Sequence, residues 1–377
     1  MRIAFIDDGI CENTFSLSLQ IEHYRVTPDL CVKKSLATPK QGLSHGTLCA
    51  AIFDDIYPSY PNPVLDIAIL DDTGKAEINR LVAALEWCLV NSVKLIHMSL
   101  GTVNYFDIKK LDKIINALNS RQVILIAAFH NKYIKSYPAA FSGVFGVRRS
   151  KKENGLYNES IALDKCEGLH IENCFVANYD KVLYTNEGEK VETDYSNSLA
   201  APALTGIIAK YLNDNQTANF SEVLAYLAKN CSKIHGHAVQ IEPYIKKENK
   251  NTMKPVVALL SDHKKIFLEL LQAFIEVDFS VLAISEDNEN VIPIHYYLNN
   301  NEKVNSNLIY TLDYIYDPDL IILCANKTRF DWPMNWDVID IYIYYMNAHY
   351  NLQTLDRSFQ LNTLQETVQC VCEYFQN

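Results

Sequence analysis

The stretch Tyr195-Ser196-Asn197-Ser198-Leu199-Ala200-Ala201-Pro202-Ala203-Leu204-Thr205-Gly206 constrains this chain more than any other. A small polar residue runs directly into Leu-Ala-Ala, a proline and an apolar segment ending in glycine. Side chains this small let a helix lie deep between other layers. The pattern predicts a helix from Ser198 to about Leu212. Its first N–H groups and the positive end of its dipole would then face the serine oxygen, which are the surroundings an oxyanion needs. The residue types alone leave two readings open. Ser198 is either a nucleophile at a helix start or a cap on a buried Ala-rich helix.

Two upstream segments bear on that choice. Ile3-Ala4-Phe5-Ile6-Asp7-Asp8-Gly9 reads as a buried parallel strand ending in carboxylates, where α/β proteins place their chemistry. Ser44-His45-Gly46-Thr47-Leu48-Cys49-Ala50 sets a histidine at a helix start, 38 residues after Asp7. With Ser196–Pro202, these segments resemble the Asp, His and Ser motifs of the subtilisin-like serine proteases, in that family's chain order. The resemblance covers about residues 1–240. It implies that Ser198 attacks a peptide carbonyl, that His45 takes its proton and that Asp7 orients His45. Asp8 stands where the family has Ser or Thr, and a second carboxylate there is expected to raise the pKa of His45.

The resemblance extends to the substrate cleft. Ala127-Ala128-Phe129-His130-Asn131 stands where the family has Ala-Ala-Gly-Asn, with one residue inserted and the glycine gone. It implies Asn131 as the side-chain donor to the oxyanion. His130 is the alternative, because an imidazole can also donate. Ser99-Leu100-Gly101 is similar to the edge that pairs with substrate backbone, and Ser136-Tyr137-Pro138-Ala139 to the base of the specificity pocket. The substrate-binding residues implied are therefore Ser99, Leu100, Gly101, Ala127, Ala128, Phe129 and Ser136. Phe129 and His130 are expected to narrow selectivity, and Lys135 to favour an acidic or polar substrate residue. His97 reads as core.

A length of 377 residues suggests two domains. Apolar residues at 78, 81, 82, 85 and 89 mark a helix within Glu77–Val90. A further helix is expected over 108–119, with strands over 64–71, 93–98 and 123–128. Residues 11–43 read as irregular. Residues 141–195 read as peripheral strands and turns, with Arg148-Arg149 on a solvated face. The polar, basic run around 245–254 marks a boundary. The expected organisation is α/β throughout: a subtilisin-like parallel-sheet domain over 1–245 with helices on both faces, a linker over 246–254, and an accessory α/β domain over 255–377. Strands alternating with helices make the last Rossmann-like or flavodoxin-like. It has no G-x-G-x-x-G or P-loop, which argues against a nucleotide site.

The formal net charge is −11, and residues 251–377 carry ten of those charges, with 7 Lys+Arg against 17 Asp+Glu. Such a surface disfavours nucleic acid and anionic membrane as partners. Ten scattered cysteines form no C-x-x-C pair, and several sit inside apolar runs as reduced core thiols do. Met1-Arg2 runs straight into the first strand without a signal peptide, and no apolar run is long enough for a membrane helix. A cytoplasmic protein that folds without a pro-domain is expected. No cofactor is expected, and the sequence does not indicate calcium. The resemblance implies a serine endopeptidase acting on peptides, similar to those that remove the leader from a ribosomally made precursor. A general intracellular peptidase and a catalytically silent peptide-binding scaffold are the alternatives.

Overall fold

The computed structural model describes the chain apart from residues 36–42, 72–73, 132–134, 150–160, 167–170, 178, 180, 194–195, 231, 234–253, 261–263, 287–294, 299–303, 317, 325–338, 347 and 377. It divides into two compact units. The first holds Met1–Thr102, Asp107–Cys166 and Ile171–His237. The second holds Ala238–Asn377 with the short stretches Val103–Phe106 and Glu167–His170. Of the expected linker 246–254, all but Lys254 lies outside the described residues.

The first unit runs β1 (Ile3–Asp7), β2 (Ile21–Val26), β3 (Val32–Lys34), α1 (His45–Ile56), β4 (Val64–Ala68), α2 (Ile78–Val90), β5 (Leu95–Met98), α3 (Tyr105–Ser120), β6 (Ile124–Ala128), β7 (Phe145–Arg149), β8 (Ile161–Cys166), β9 (Ile171–Ala177), β10 (Leu183–Tyr184), β11 (Lys190–Val191), α4 (Asn197–Asp214), α5 (Phe220–Asn230) and β12 (Ser232–Lys233). Ten strands form one sheet in the order β12-β8-β9-β7-β6-β5-β1-β4-β2-β3. The sheet is parallel from β2 to β7, and β9 adds in parallel to β7.

Central parallel strands are covered on both faces and so read as continuous apolar runs. Ile3, Ala4, Phe5 and Ile6 are all fully buried. Ile3 and Phe5 point into the cluster built with α1, α4 and α5. Ala4 and Ile6 point to the other face by the alternation of a strand, and α2 lies against β1, β2 and β3. Two expectations fail here. Residues 11–43 contain two strands of the sheet, which the short, polar run Glu-His-Tyr-Arg in β2 conceals. The stretch 141–195 is not peripheral, because β7 lies inside the sheet between β6 and β9. Arg148, expected on a solvated face, is buried at 5% exposure because its strand is covered.

The second unit continues with β13 (Val256–Leu260), α6 (Lys264–Glu276), β14 (Val281–Ser285), β15 (His295–Tyr297), α7 (Ser306–Tyr316), β16 (Leu320–Cys324), β17 (Ile341–Met346), β18 (His349–Gln353), β19 (Ser358–Leu361) and α8 (Leu364–Gln376). Its sheet has the order β15-β14-β16-β13-β17-β18-β19. The first five strands are parallel and the last two antiparallel. Neither the Rossmann nor the flavodoxin order places the fourth strand between the second and the first. The unit is α/β, as expected, with a strand order of its own. Phe267, Leu270, Leu271 and Phe274 of α6 anchor a separate core.

Candidate active site

Three neighbouring parallel strands, β1, β5 and β6, end on one edge, where open α/β sheets bind ligands. Asp7 closes β1, Ser99 follows β5, and Phe129-His130-Asn131 follow β6. Helix α1 starts beside them, capped by Ser44, whose Oγ accepts the Thr47 N–H. His45 is therefore the first helical residue and stands where β1 ends. Its Nδ1 is 2.9 Å from Asp7 Oδ2, and its Nε2 is 2.9 Å from Ser198 Oγ. Asp7 is buried and His45 one-third exposed. The sequence's three reactive candidates, drawn from three distant segments, thus meet in series.

Asp8 does not turn to the imidazole. Its Oδ2 accepts the His45 N–H at 3.0 Å and its Oδ1 the Gly46 N–H at 2.7 Å. The carboxylate satisfies two orphan donors of the helix start and complements its dipole. Burial and the neighbouring Asp7 raise the pKa of Asp8. The pKa of His45 is raised, first by the Cys49 sulfur and then by Asp7, against the cost of burying the cation. Burial also raises the pKa of Cys49. At neutral pH the sulfur is a thiol, and the Asp7 carboxylate is the charge that favours imidazolium.

Ser198 sits in the first turn of α4. The helix starts one residue earlier than the sequence suggests, because Ser196 is the cap and its Oγ accepts the Leu199 N–H. That hydroxyl also lies 3.0 Å from Ser198 Oγ. Pro202 has no N–H to return to the Ser198 carbonyl four residues back. Ser99 Oγ donates to that carbonyl instead, at 2.7 Å. His97 Nε2 lies 2.7 Å from Ser99 Oγ and His97 Nδ1 2.8 Å from Thr205 Oγ1. The same two hydroxyls donate to backbone carbonyls, Ser99 to Ser198 and Thr205 to Ala201 at 3.0 Å, with the His97 ring between them. Burial pushes its pKa down to about 3 and keeps it neutral. His97 is core, and it props Ser99.

No family model matches the chain. It is 27% identical over 194 residues to the minor extracellular protease Epr of Bacillus subtilis (strain 168), covering 48% of this chain and 28% of that protein. It is 22% identical over 176 residues to the thermostable alkaline protease of Halalkalibacterium halodurans, covering 43% of this chain and 45% of that protein. The chain therefore spans less than half the length of these curated relatives. Among solved structures, the nisin leader peptidase NisP of Lactococcus lactis aligns over 61% of this chain and 82% of its own, at 17% identity and a TM-score of 0.45. The S41 psychrophilic protease aligns over 62% and 85%, at 18% identity and a TM-score of 0.47.

Two cavities flank the segment that follows β5. One of about 140 Å³ is lined by Ser99, Leu100, Gly101, Ala128, Phe129, His130, Asn131, Ser136 and Ser198. The other, of about 530 Å³, lies on the Asp7, Asp8 and His45 side and shares Ser99, Leu100 and Gly101. The Ser99–Gly101 segment borders both. Ala127 is not brought to either cavity, since it is fully buried in β6. Lys135 lines neither and is itself buried, with its pKa lowered to about 8 by that burial. The expectation that it charges the pocket fails, because the chain turns it inward. Phe129 is also buried. Its ring passes over Gly146, where a Cβ would meet it at 2.4 Å.

Asn197 is the residue to which the sequence assigned no positioning role. It is 3% exposed and is held through both its backbone and its side chain. Its N–H donates to Asn131 Oδ1 at 2.8 Å, and its Nδ2 to the Phe129 and His130 carbonyls at 3.3 and 3.0 Å. Its Oδ1 accepts the Arg149 N–H at 2.8 Å. Asn131 thus has its oxygen engaged and its amide nitrogen left as donor. A signal existed: an asparagine directly before Ser198, with a second asparagine at the end of a loop that carries one inserted residue.

Proposed function

We propose that the subtilisin-like unit is a serine endopeptidase. The observation that carries this reading is the unbroken series Asp7–His45–Ser198, with links of 2.9 Å each. Ser198 Oγ attacks the scissile carbonyl while His45 Nε2 takes its proton. Asp7 holds the Nδ1 proton and stabilises the imidazolium that forms, which then gives its proton to the leaving amine. The oxyanion is met by the Ser198 N–H at the start of α4 and by Asn131 Nδ2, whose oxygen Asn197 has fixed. The substrate backbone runs beside Ser99–Gly101, which borders both cavities.

The substrate we propose is a ribosomally made precursor peptide whose leader is removed. A wall built from buried Phe129 and exposed His130 supports narrow selection. The acidic second unit would meet a basic segment of the precursor. Buried thiols such as Cys49 and Cys88 suit a reducing compartment, and we place the protein in the cytoplasm; cell fractionation tests that placement. The activity is tested by a fluorophosphonate probe. The wild-type chain is expected to be labelled and Ser198→Ala to remain unlabelled. A wild-type chain that is folded yet unreactive would favour the silent scaffold.

A further inference from the structure

We propose that Ser196 is a further catalytic residue of the Ser198 site: its hydroxyl donates to Ser198 Oγ and favours release of the acyl group. This rests on the serine peptidase reading. Ser196 is buried, and its Oγ accepts the Leu199 N–H at 3.3 Å while lying 3.0 Å from Ser198 Oγ. Either hydroxyl can donate across that gap, so the neighbours decide which does. A serine hydroxyl carries one proton and two lone pairs. His45 Nδ1 stands 2.9 Å from the Asp7 carboxylate, which only accepts, so that nitrogen holds the ring proton of the neutral base. His45 Nε2, 2.9 Å from Ser198 Oγ, then accepts the Ser198 proton. Ser196 is left to give its own proton to Ser198 Oγ. The bonds run in one direction, from the Leu199 N–H at the helix start through Ser196 and Ser198 to His45.

Ser196 approaches from the protein side. Ser198 lines the 140 Å³ cavity, and Ser196 lines neither cavity. Its hydroxyl thus touches the reacting oxygen without a part in selecting the substrate. In acylation Ser198 Oγ bonds to the carbonyl carbon, and its proton passes to His45 and then to the leaving amine. The oxygen becomes that of an ester, a poorer acceptor than a hydroxyl or an alkoxide, and the Ser196 bond weakens. In deacylation water attacks the acyl carbon as His45 takes a water proton. The bond from that carbon to Ser198 Oγ breaks, and His45 returns the proton to the departing oxygen. The Ser196 bond strengthens as charge gathers there. Ser196 therefore raises the acyl-enzyme in free energy relative to the free enzyme and speeds the second half of the cycle.

Pre-steady-state hydrolysis of p-nitrophenyl acetate by the full chain separates the two halves, since the burst reports acylation and the steady phase deacylation. In Ser196→Ala the ratio of burst rate to steady rate is expected to rise about 2- to 10-fold, the scale of one hydrogen bond. KM and kcat should fall together as acyl-enzyme accumulates. Ser196→Gly should show the same ratio. Glycine is tolerated at a helix cap, so this variant carries the test if the alanine variant unfolds. Ser196→Thr keeps the hydroxyl and should return the ratio toward wild type. A hydroxyl that serves only as a helix cap predicts lower stability to denaturant with both phases slowed alike, and that result overturns the proposal. So does an unchanged ratio in a folded alanine or glycine variant, or a threonine variant that behaves as the alanine one. A wild-type chain that shows no burst and takes no fluorophosphonate sinks the peptidase reading, and this inference with it. A chain that labels and turns over, with a deacylation rate indifferent to Ser196, sinks this inference alone.

Discussion

Asn131 hangs by its carbonyl oxygen from the backbone N–H of Asn197, one residue before Ser198. One hydrogen bond therefore sets both the direction of the donor and its distance from Ser198. Replacing Asn131 with Ala is expected to lower kcat by roughly 10²–10³, with KM little changed, because the donated bond forms only as the oxyanion develops. Steady-state kinetics on a peptide substrate check this, and an equal loss in the His130→Ala variant would move the role to the neighbour. The raised pKa of His45 also has a measurable sign. The base must be neutral, so kcat/KM should climb with pH through a value above the ordinary 6.5. An acid limb at or below 6.5 would contradict the assignment of Asp7. Stability moves the other way: the folded chain's extra hold on the proton is fully present below the unfolded pKa and is lost as pH rises through the folded one. Motifs made the reactive residues legible, since each sits in a short local context. Lys135 and Arg148 were misread because charge suggests solvent, whereas both belong to segments that the fold covers.

Helix α1 enters the site over a backbone, not over side chains. A Cβ on Gly46 would meet the Gly9 carbonyl oxygen at 2.8 Å and Asp8 Oδ1 at 3.1 Å. Neither neighbour can retreat without moving the end of β1. Gly46→Ala is expected to shift the helix start against Asp7, and a misplacement near 1 Å costs on the order of 10²-fold in rate. The stability cost should be about 1–3 kcal/mol, as for overpacking. Denaturant unfolding and labelling rate together test this, since full activity would show that the contact relaxes freely. Helix α4 makes a similar approach, where a Cβ on Gly206 would meet Ile56 Cγ2 at 2.5 Å. Helix α2 was readable from its apolar spacing. The polar strand β2 and the hairpin strands β18 and β19 were not, because edge and half-buried strands carry mixed residues.

Among the described residues, one hydrophobic core is built around α1 and α4 and another around α6. Each lies within its own unit. Two such cores are expected to melt as two transitions in calorimetry. Covalent labelling of Ser198 should move the first unit's transition and leave the other in place. A single transition shifted as a whole would show that the units unfold together. Among the described residues no helix is long and apolar enough to cross a membrane. Strands alternating with helices were legible in the second unit. The strand order of the second unit was not, because strand pairing is a long-range choice that local pattern does not record.

By itself the sequence determined which residues are chemically able to act and which segments are helix or buried strand. These properties depend on residue type and on neighbours a few positions away. Only the tertiary structure decided that a carboxylate at 7, an imidazole at 45 and a hydroxyl at 198 stand in line. It also decided that Asp8 caps a helix, that Asn197 aims Asn131, and that Cys49 lies against His45. Each of these is a distance between atoms that local pattern does not fix, and such distances exist only once the sheet has brought its strand ends together.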